Sequence, residues 1–185
     1  MSRVAAEGRS LAPPIDGQLY AVEFVCTGNI CRSPIAEVVT RSLAAATTLT
    51  DGTSLGQRLE VSSAGTGPWH EGEPMDARTA AALCRAGYPE HPHVAHQVVT
   101  RQLGRRDLVV ALDRRHLQTL RSLGADPARL RLLRSFDPDA GAAADVPDPY
   151  YGDQAEFDAC LSMIEAGCRG LVAQLATAVN ARSIP

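Results

Sequence analysis

The sequence predicts an α/β fold in which helices flank a four-stranded parallel sheet. Short apolar runs alternate along the chain with segments of helical period, which is the pattern of strand–helix–strand units. One run, Leu108–Leu112, is apolar throughout, as expected of a strand that is covered on both faces. Because such sheets bind ligands beyond the carboxyl ends of their strands, we expect the functional residues at that edge.

The predicted strands follow from apolar runs of suitable length. They are expected at Tyr20–Val25, Leu59–Ala64, Leu108–Leu112 and Leu130–Leu133. The first is an apolar run that leads into a short loop, and the second alternates between apolar and polar residues. The fourth is the shortest, and with it the sheet reaches four strands.

Helical periodicity and capping residues predict four helices. They are expected at Pro34–Ala46, Asp76–Ala86, Arg114–Leu123 and Asp153–Ala178. Asp76 suits the N-cap of the second helix, which Gly87 and Pro89 end, and the third helix stops at Gly124. A long loop rich in Pro, Asp, Gly and Ala, Ser135–Gly152, precedes the amphipathic last helix, and such loops usually carry function.

Length and composition indicate a single domain. The 185 residues, 45% of them hydrophobic, are expected to form a flexible tail over 1–18 and one domain over 19–185. No run approaches the ~20 apolar residues of a membrane span, and the tail lacks the apolar centre of a secretory signal. We therefore expect a monomeric cytoplasmic protein, and export without a signal peptide remains open.

Charge and cysteine content exclude several functions. A net charge of −3 provides no basic surface for nucleic acid or for an anionic membrane. All 18 basic residues are arginine, which excludes a Walker loop, Schiff-base chemistry and a lysine general base, and indicates a GC-rich, bacterial genome. The five cysteines are odd in number and irregularly spaced, which argues against a secreted disulfide framework.

One ten-residue segment, 25–34, carries the strongest functional signal. Cys26 lies at the carboxyl end of the first strand, and Arg32 follows six residues later at the start of a helix. Backbone N–H groups of so short a loop can turn inward around a phosphate-like anion, and the helix N-terminus adds partial positive charge. The guanidinium of Arg32 matches two phosphate oxygens, and the same field stabilises negative charge on the Cys26 sulfur.

Other residues of this loop suit the same purpose. Gly28 permits a positive φ, Asn29 tolerates the left-handed region and can lock the loop, and Ser33 can donate to a thiolate. Cys31 has two interpretations, a buried filler or a resolving thiol that forms a disulfide with oxidised Cys26. The remaining cysteines lie on predicted helices and are expected in the core: Cys84, Cys160 and Cys168.

The string Cys26-Thr-Gly-Asn-Ile-Cys-Arg-Ser-Pro resembles the phosphate-binding loop of the low-molecular-weight protein tyrosine phosphatases. The resemblance continues through 62–70, 93–97, 108–113 and 148–152, and so covers about 19–178. It implies a flavodoxin-like fold, a phosphotyrosine-containing protein as substrate, a phosphocysteine intermediate and no cofactor. The string Asp-Pro-Tyr-Tyr-Gly is similar to the acid loop of the bacterial branch.

Hydrolysis of a phosphate ester needs a carboxylic acid that protonates the departing oxygen. The candidates on the long loop and just after it are Asp137, Asp139, Asp145, Asp148 and Asp153. Asp148 is preferred because Pro149 stiffens its backbone and two aromatic residues follow. The resemblance selects the same residue as general acid and base, with Cys26 as nucleophile and Arg32 as phosphate clamp.

The resemblance also implies residues for substrate binding and loop support. Trp69 and Tyr150 would form the two sides of a deep slot for a phenyl ring, with contributions from His70 and Tyr151. Backbone donors to the phosphate would come from Thr27, Gly28, Asn29, Ile30, Cys31 and Arg32. The residues that would brace the loop through hydrogen bonds are Asn29, Ser33, Ser63 and His93.

Two other motifs are weak. The histidines of His91-x-His93-x2-His96 could bind a metal, but Pro92 restricts the backbone between them. The string Gly65-Thr66-Gly67 begins like a dinucleotide fingerprint, but His70 stands where its third glycine belongs. We therefore expect no metal and no nucleotide cofactor.

Three alternative functions would use the same loop. A thiol-dependent arsenate reductase needs a pair of relay cysteines, and Cys84 has no close partner in the sequence. In protein-arginine phosphatases of this kind, Thr replaces Ile30 and Phe replaces Tyr150, so both residues favour a tyrosine phosphatase. A non-catalytic phosphate-binding module would not need nucleophile, arginine and acid together.

Overall fold

A parallel sheet forms the centre of the molecule. The computed structural model describes residues 10–15, 19–141 and 145–181. Its strands are β1 (Tyr20–Cys26), β2 (Leu59–Gly65), β3 (Leu108–Ala111) and β4 (Leu130–Leu132). They lie in the order β2-β1-β3-β4, and every neighbouring pair is parallel. The predicted four-stranded parallel sheet is confirmed, and each strand begins at the residue that the sequence indicates.

Five α-helices surround the sheet in the described part of the chain. They are α1 (Arg32–Ala46), α2 (Ala77–Arg85), α3 (Thr100–Leu103), α4 (Arg114–Ser122) and α5 (Gln154–Asn180). Helix α1 begins two residues earlier than predicted, so Arg32 lies in its first turn. Neither α3 nor the two 3-10 helices at Leu55–Arg58 and Leu133–Phe136 was predicted, because segments of four residues show no helical period. No helix that the structure describes is long and apolar enough to cross a membrane.

The sheet is covered on both faces. On one face, Phe24 and Val110 pack into a core that includes residues of α1 and α5, such as Ile35 and Phe157. Successive side chains of a strand point to opposite faces, and the residues between them fill a second, smaller core. That core contains Val25, Val109, Ala111, Leu120 and Leu130. All four residues of β3 are buried, as its continuous apolar run predicts.

The strand order places a crevice at one edge of the sheet. From β1 the chain crosses to β2 on one side, and it later crosses to β3 on the other side of β1. The loops that leave β1 and β3 therefore diverge, and the carboxyl ends of these two strands form the ligand-binding edge of such folds. Cys26 ends β1 at this edge, next to Gly65 of β2.

Residues 10–15 pack against the opposite end of the sheet. Leu11 is buried, the hydroxyl of Tyr20 donates to the carbonyl of Ala12 at 3.0 Å, and the Ile15 N–H donates to Asp107 at 2.6 Å. The chain is therefore attached to the domain at these positions. The rest of the predicted tail, residues 1–9 and 16–18, lies outside the described residues.

Candidate active site

The loop after β1 surrounds the sulfur of Cys26. We call residues 26–33 the phosphate loop. The Cys26 side chain is buried, with 2% of the residue exposed, and its Sγ lies 3.0 Å from the hydroxyl of Ser33. The end of β2 pairs with the loop, because Thr66 N–H donates to the Cys26 carbonyl at 2.8 Å. Gly65 allows this approach, since a Cβ there would come within 2.8 Å of the Thr27 carbonyl oxygen.

Asn29 braces the phosphate loop from within. It has a positive φ of 59° and is fully buried. Its side-chain amide donates to the hydroxyls of Ser33 and Ser63, both at 2.9 Å, and its amide oxygen accepts the His96 N–H at 3.0 Å. The Asn29 carbonyl lies 2.6 Å from Nε2 of His93. The interactions of the side-chain amide nitrogen and oxygen and of the backbone carbonyl stabilise a conformation that few residues adopt.

Glu37 extends this support from α1. The Ser63 hydroxyl donates to its carboxylate at 2.7 Å, and Nε2 of His91 lies 3.4 Å from the other oxygen. Burial lowers the pKa of neighbouring His93, which favours its neutral form. The sequence pattern did not predict a role for Glu37. Its signal was a carboxylate within an apolar helix, one turn after the phosphate loop.

Arg32 is buried at the base of the cavity and pairs with two carboxylates. One terminal nitrogen donates to Asp113 at 3.0 Å and to the Val146 carbonyl at 3.2 Å, and the other donates to Asp148 and to the Thr27 hydroxyl. Its Nε is buried and has no hydrogen-bond partner among the residues that the structure describes. A phosphate oxygen would satisfy this donor, as a phosphate clamp requires.

The acid loop, residues 148–152, closes the cavity opposite the phosphate loop. One carboxylate oxygen of Asp148 pairs with Arg32, and the other accepts the Tyr150 N–H at 3.2 Å. The cavity has a volume of about 370 Å³. It is lined by Cys26, Thr27, Gly28, Ile30, Cys31, Arg32, Trp69, His70, Asp148, Tyr150 and Tyr151. A thiol, a guanidinium and a carboxylate thus meet beside four aromatic side chains.

The wall of the cavity is aromatic and partly exposed to solvent. Trp69 is 68% exposed and Tyr151 is 97% exposed, whereas Tyr150 is half-buried, with its ring centroid 5.9 Å from that of His70. The sides of the cavity can therefore contact a planar ring above the sulfur. The four bracing residues do not line the cavity: Asn29 and Ser33 are buried within the phosphate loop, and Ser63 and His93 contact it from outside.

A family model, low molecular weight phosphotyrosine protein phosphatase, matches residues 21–181. The chain belongs to this family. It is 49% identical over 168 residues to a low molecular weight protein-tyrosine-phosphatase of Streptomyces coelicolor. The matched region covers 89% of this chain and 98% of that protein. It is 50% identical over 151 residues to low molecular weight protein-tyrosine phosphatase A of Mycobacterium tuberculosis, with 81% and 88% covered.

Solved structures agree with the family assignment. The crystal structure of YfkJ from Bacillus subtilis superposes with a TM-score of 0.74 at 36% identity, and covers 86% of this chain and 96% of that chain. A protein tyrosine phosphatase of Entamoeba histolytica has a TM-score of 0.75 at 28% identity, with 84% and 96% covered. The family's general mechanism proceeds through a phosphocysteine intermediate. The resemblance that the sequence indicated is confirmed.

Two further residues of this phosphatase, for which the sequence predicted no role, lie behind Arg32. Asp113 caps α4 by accepting the His116 N–H at 2.8 Å, and it also accepts from Arg32. Nε2 of His116 lies 2.9 Å from the Thr27 hydroxyl, and Nδ1 lies 3.0 Å from Asp113. Burial lowers the pKa of His116 to about 4, so the ring is neutral at pH 7. The carboxylate favours a proton on Nδ1, and the Thr27 hydroxyl then donates to Nε2.

Among the cysteines of the phosphatase, Cys84 has a different environment from the one that the sequence suggested. All five cysteines are free; Cys160 and Cys168 are buried as predicted, but Cys84 is exposed because it faces outward on α2. Burial raises the pKa of the Cys31 thiol to about 12. Among the described residues, no group of three or more His, Cys, Asp or Glu side chains could hold a metal ion.

Proposed function

We propose that this phosphatase hydrolyses phosphotyrosine in proteins, with Cys26 as nucleophile, Arg32 as phosphate clamp and Asp148 as general acid and base. The observation that carries the proposal is their convergence in one cavity of about 370 Å³. Each of the three chemical requirements of phosphate-ester hydrolysis has a group there: a nucleophile, positive charge for the phosphoryl oxygens, and a proton for the leaving group.

In the first step, the Cys26 sulfur attacks phosphorus in line with the tyrosine oxygen. The S–P bond forms as the P–O bond to the ring breaks, and protonated Asp148 gives its proton to the departing phenolic oxygen. Backbone N–H groups of the phosphate loop and the guanidinium of Arg32 stabilise the three phosphoryl oxygens. The products of this step are tyrosine and phosphocysteine.

In the second step, water attacks the phosphocysteine. The carboxylate of Asp148 takes a proton from the water, the O–P bond forms and the S–P bond breaks, which releases inorganic phosphate and the Cys26 thiolate. The Ser33 hydroxyl, 3.0 Å from the sulfur, can donate to that thiolate as it leaves. Asp148 returns to its protonated form for the next cycle.

The depth of the sulfur supports the choice of phosphotyrosine. Because Cys26 is 2% exposed at the base of the cavity, a phosphate must be carried inward on a long, narrow group. A phenyl ring has this shape and can contact Trp69 and Tyr150, whereas the short side chain of phosphoserine would bring the peptide backbone against the rim. We further propose that the protein works as a cytoplasmic monomer on phosphorylated proteins.

Phosphopeptide assays test this function. Matched peptides that carry phosphotyrosine, phosphoserine or phosphoarginine are incubated with the enzyme, and released phosphate is measured. We expect kcat/KM for phosphotyrosine to exceed that for the other two by at least about 100-fold, a discrimination within reach of pocket shape and leaving-group chemistry. A preference for phosphoarginine, or thiol-dependent reduction of arsenate faster than phosphotyrosine hydrolysis, would contradict the proposal and support one of the alternatives.

A further inference from the structure

Arg78 lies between the two loops of the active site without lining the cavity. It is in the first turn of α2, and its guanidinium donates in three directions. Nε and one terminal nitrogen donate to the two carboxylate oxygens of Asp76, at 3.0 and 2.8 Å. The terminal nitrogens also donate to the carbonyls of Tyr150 and Gly152, at 3.0 and 2.9 Å. Both carbonyls belong to the acid loop.

Phe157 and Asp76 together fix the position of the Arg78 guanidinium. Its central carbon lies 4.5 Å from the ring centroid of Phe157, which is fully buried in the core. The hydrogen bonds from Arg78 lower the pKa of Asp76, so that this carboxylate is ionised at neutral pH and holds the arginine in a bidentate pair. A planar fork with several donors can meet all these partners at once, which an ammonium group cannot.

The start of α2, which carries Asp76 and Arg78, is also attached to the phosphate loop. The Asp76 N–H donates to the carbonyl of Ile30 at 2.9 Å. On the other side, Arg78 holds the carbonyl of Tyr150, while the N–H of Tyr150 donates to Asp148 at 3.2 Å. A continuous series of hydrogen bonds therefore joins the phosphate loop to the carboxylate of Asp148 through the start of α2.

A second arginine on the same helix provides a contrast. Arg85 pairs with Asp158 of α5 at the other end of α2, where both side chains are about half exposed. This pair links α2 to α5, and in the described part of the chain Arg85 donates no hydrogen bond to the acid loop. Arg78 links the same two helices through Phe157, and in addition it binds the acid-loop backbone. If Arg78 served only to pack α2 against α5, its replacement and that of Arg85 should have similar effects.

We propose that Arg78 is a positioning residue that fixes the acid loop relative to the phosphate loop, so that Asp148 reaches the leaving-group oxygen. The inference rests on the proposed function, because it assigns Asp148 the proton transfer. Removal of Arg78 leaves Cys26 and Arg32 in place but frees two acid-loop carbonyls. The decrease in kcat/KM should therefore come from slower proton transfer by Asp148. It should be larger for substrates whose leaving group needs a proton more.

The kinetic test compares Arg78→Met with Arg85→Met, which both remove a charge from α2 and keep an apolar stem. The substrates are phenyl phosphate, whose leaving group needs a proton, and p-nitrophenyl phosphate, whose leaving group needs it less. For Arg78→Met, we expect kcat/KM to fall about 10-fold or more with phenyl phosphate and about 3-fold or less with p-nitrophenyl phosphate. Arg85→Met should match the wild type with both, and Arg78→Lys should recover only part of the loss.

A second measurement does not depend on activity. Hydrogen exchange of peptides spanning 146–153 should be faster in Arg78→Met than in the wild type, and unchanged in Arg85→Met, because the carbonyls of Tyr150 and Gly152 lose their donor and the acid loop opens more readily. Equal losses with both substrates, or unchanged exchange in Arg78→Met, would overturn the positioning role. Failure of the proposed function is a separate result, since it would be seen as a wild-type enzyme that does not release phosphate from phosphotyrosine.

Discussion

The two loops of the active site are built in opposite ways. The phosphate loop is buried, and Asn29, Arg32 and Ser33 have almost no exposed surface. The acid loop lies at the surface, where the Asp148 side chain is 44% exposed and Tyr151 is 97% exposed. The phosphate loop is braced by side chains from α1, β2 and the segment before α3, whereas the acid loop is held mainly through its backbone carbonyls.

The difference matches the chemistry that each loop performs in the proposed mechanism. Stabilisation of the phosphoryl oxygens needs donors that are fixed before the substrate arrives, and this favours a buried, braced loop. Proton transfer needs a carboxyl group that admits substrate, donates, and later meets water, and this favours an exposed loop. The loops meet at Arg32, one terminal nitrogen of which donates both to Asp148 and to the Thr27 hydroxyl.

The largest effect is expected from Cys26→Ser. The variant keeps the phosphate loop and Arg32 but replaces the sulfur nucleophile, so turnover of phosphotyrosine should fall by at least about 10³-fold. Binding of orthophosphate or vanadate, measured by calorimetry, should persist because the donors remain. Cys84→Ser, which changes an exposed thiol on α2, is the matched control and should keep wild-type activity. Residual turnover of more than a few per cent in Cys26→Ser would contradict the covalent mechanism.

Asp148→Asn should have the next largest effect, and it tests the acid loop alone. The amide keeps the size of the carboxyl group but cannot donate the proton, so kcat/KM for phosphotyrosine should fall about 10²–10³-fold. Aryl phosphates with acidic phenols should lose much less. Asp145→Asn is the control, since that carboxylate accepts the Arg114 N–H at 2.8 Å and lines no part of the catalytic cavity. An equal decrease in kcat/KM on all substrates would show that Asp148 is not the general acid.

Asn29→Ala should damage the phosphate loop without removing a reacting group. The change leaves the buried hydroxyls of Ser33 and Ser63 without their amide donor and places alanine at a φ of 59°. We expect a loss of about 2–4 kcal/mol in the free energy of unfolding and weaker phosphate binding. Asn180→Ala, which removes exposed bonds to Thr50, should cost less than about 1 kcal/mol. If urea unfolding gave comparable losses of unfolding free energy for the two variants, the hydrogen bonds of Asn29 would not stabilise the phosphate loop more than an exposed surface contact does.

The same contrast explains how much the sequence revealed. The phosphate loop is one continuous segment, so its residue types and spacing indicated both its position and its chemistry. Glu37, Arg78 and His116 act on the site from three different helices, and their roles depend on how α1, α2 and α4 pack. A sequence pattern shows that Asp76 can cap a helix, but not that Arg78 will use the same carboxylate to hold a distant loop.

The residue pattern predicted the strands but not the burial of every residue or the shortest helix. The strands were predictable because burial on both faces leaves a run of apolar residues. Cys84 was placed wrongly, since a nine-residue helix has an inner and an outer face and a single cysteine does not indicate which one it occupies. Helix α3 was missed because four residues are too few to show a period.

The smallest expected effect concerns His116, which supports the phosphate loop through Thr27. Its pKa is lowered by burial from 6.5 to about 4. In the unfolded chain this histidine takes a proton as the pH falls through 6.5, while the folded protein resists protonation until about 4. The folded state therefore loses stability on acidification between these values, and the stability is fully present above pH 6.5.

Urea unfolding at pH 7 and pH 5 measures this contribution. Between the two pH values, His116→Asn should lose about 2 kcal/mol less stability than the wild type, because asparagine does not titrate. Arg115→Ala, which changes the exposed neighbour on α4, should keep the wild-type pH dependence. His93 also has a pKa lowered by burial, so the wild-type dependence should not vanish completely in His116→Asn. An unchanged difference between pH 7 and pH 5 would mean that His116 is protonated in the folded protein, and that its ring then donates from Nε2 to the Thr27 hydroxyl instead of accepting from it.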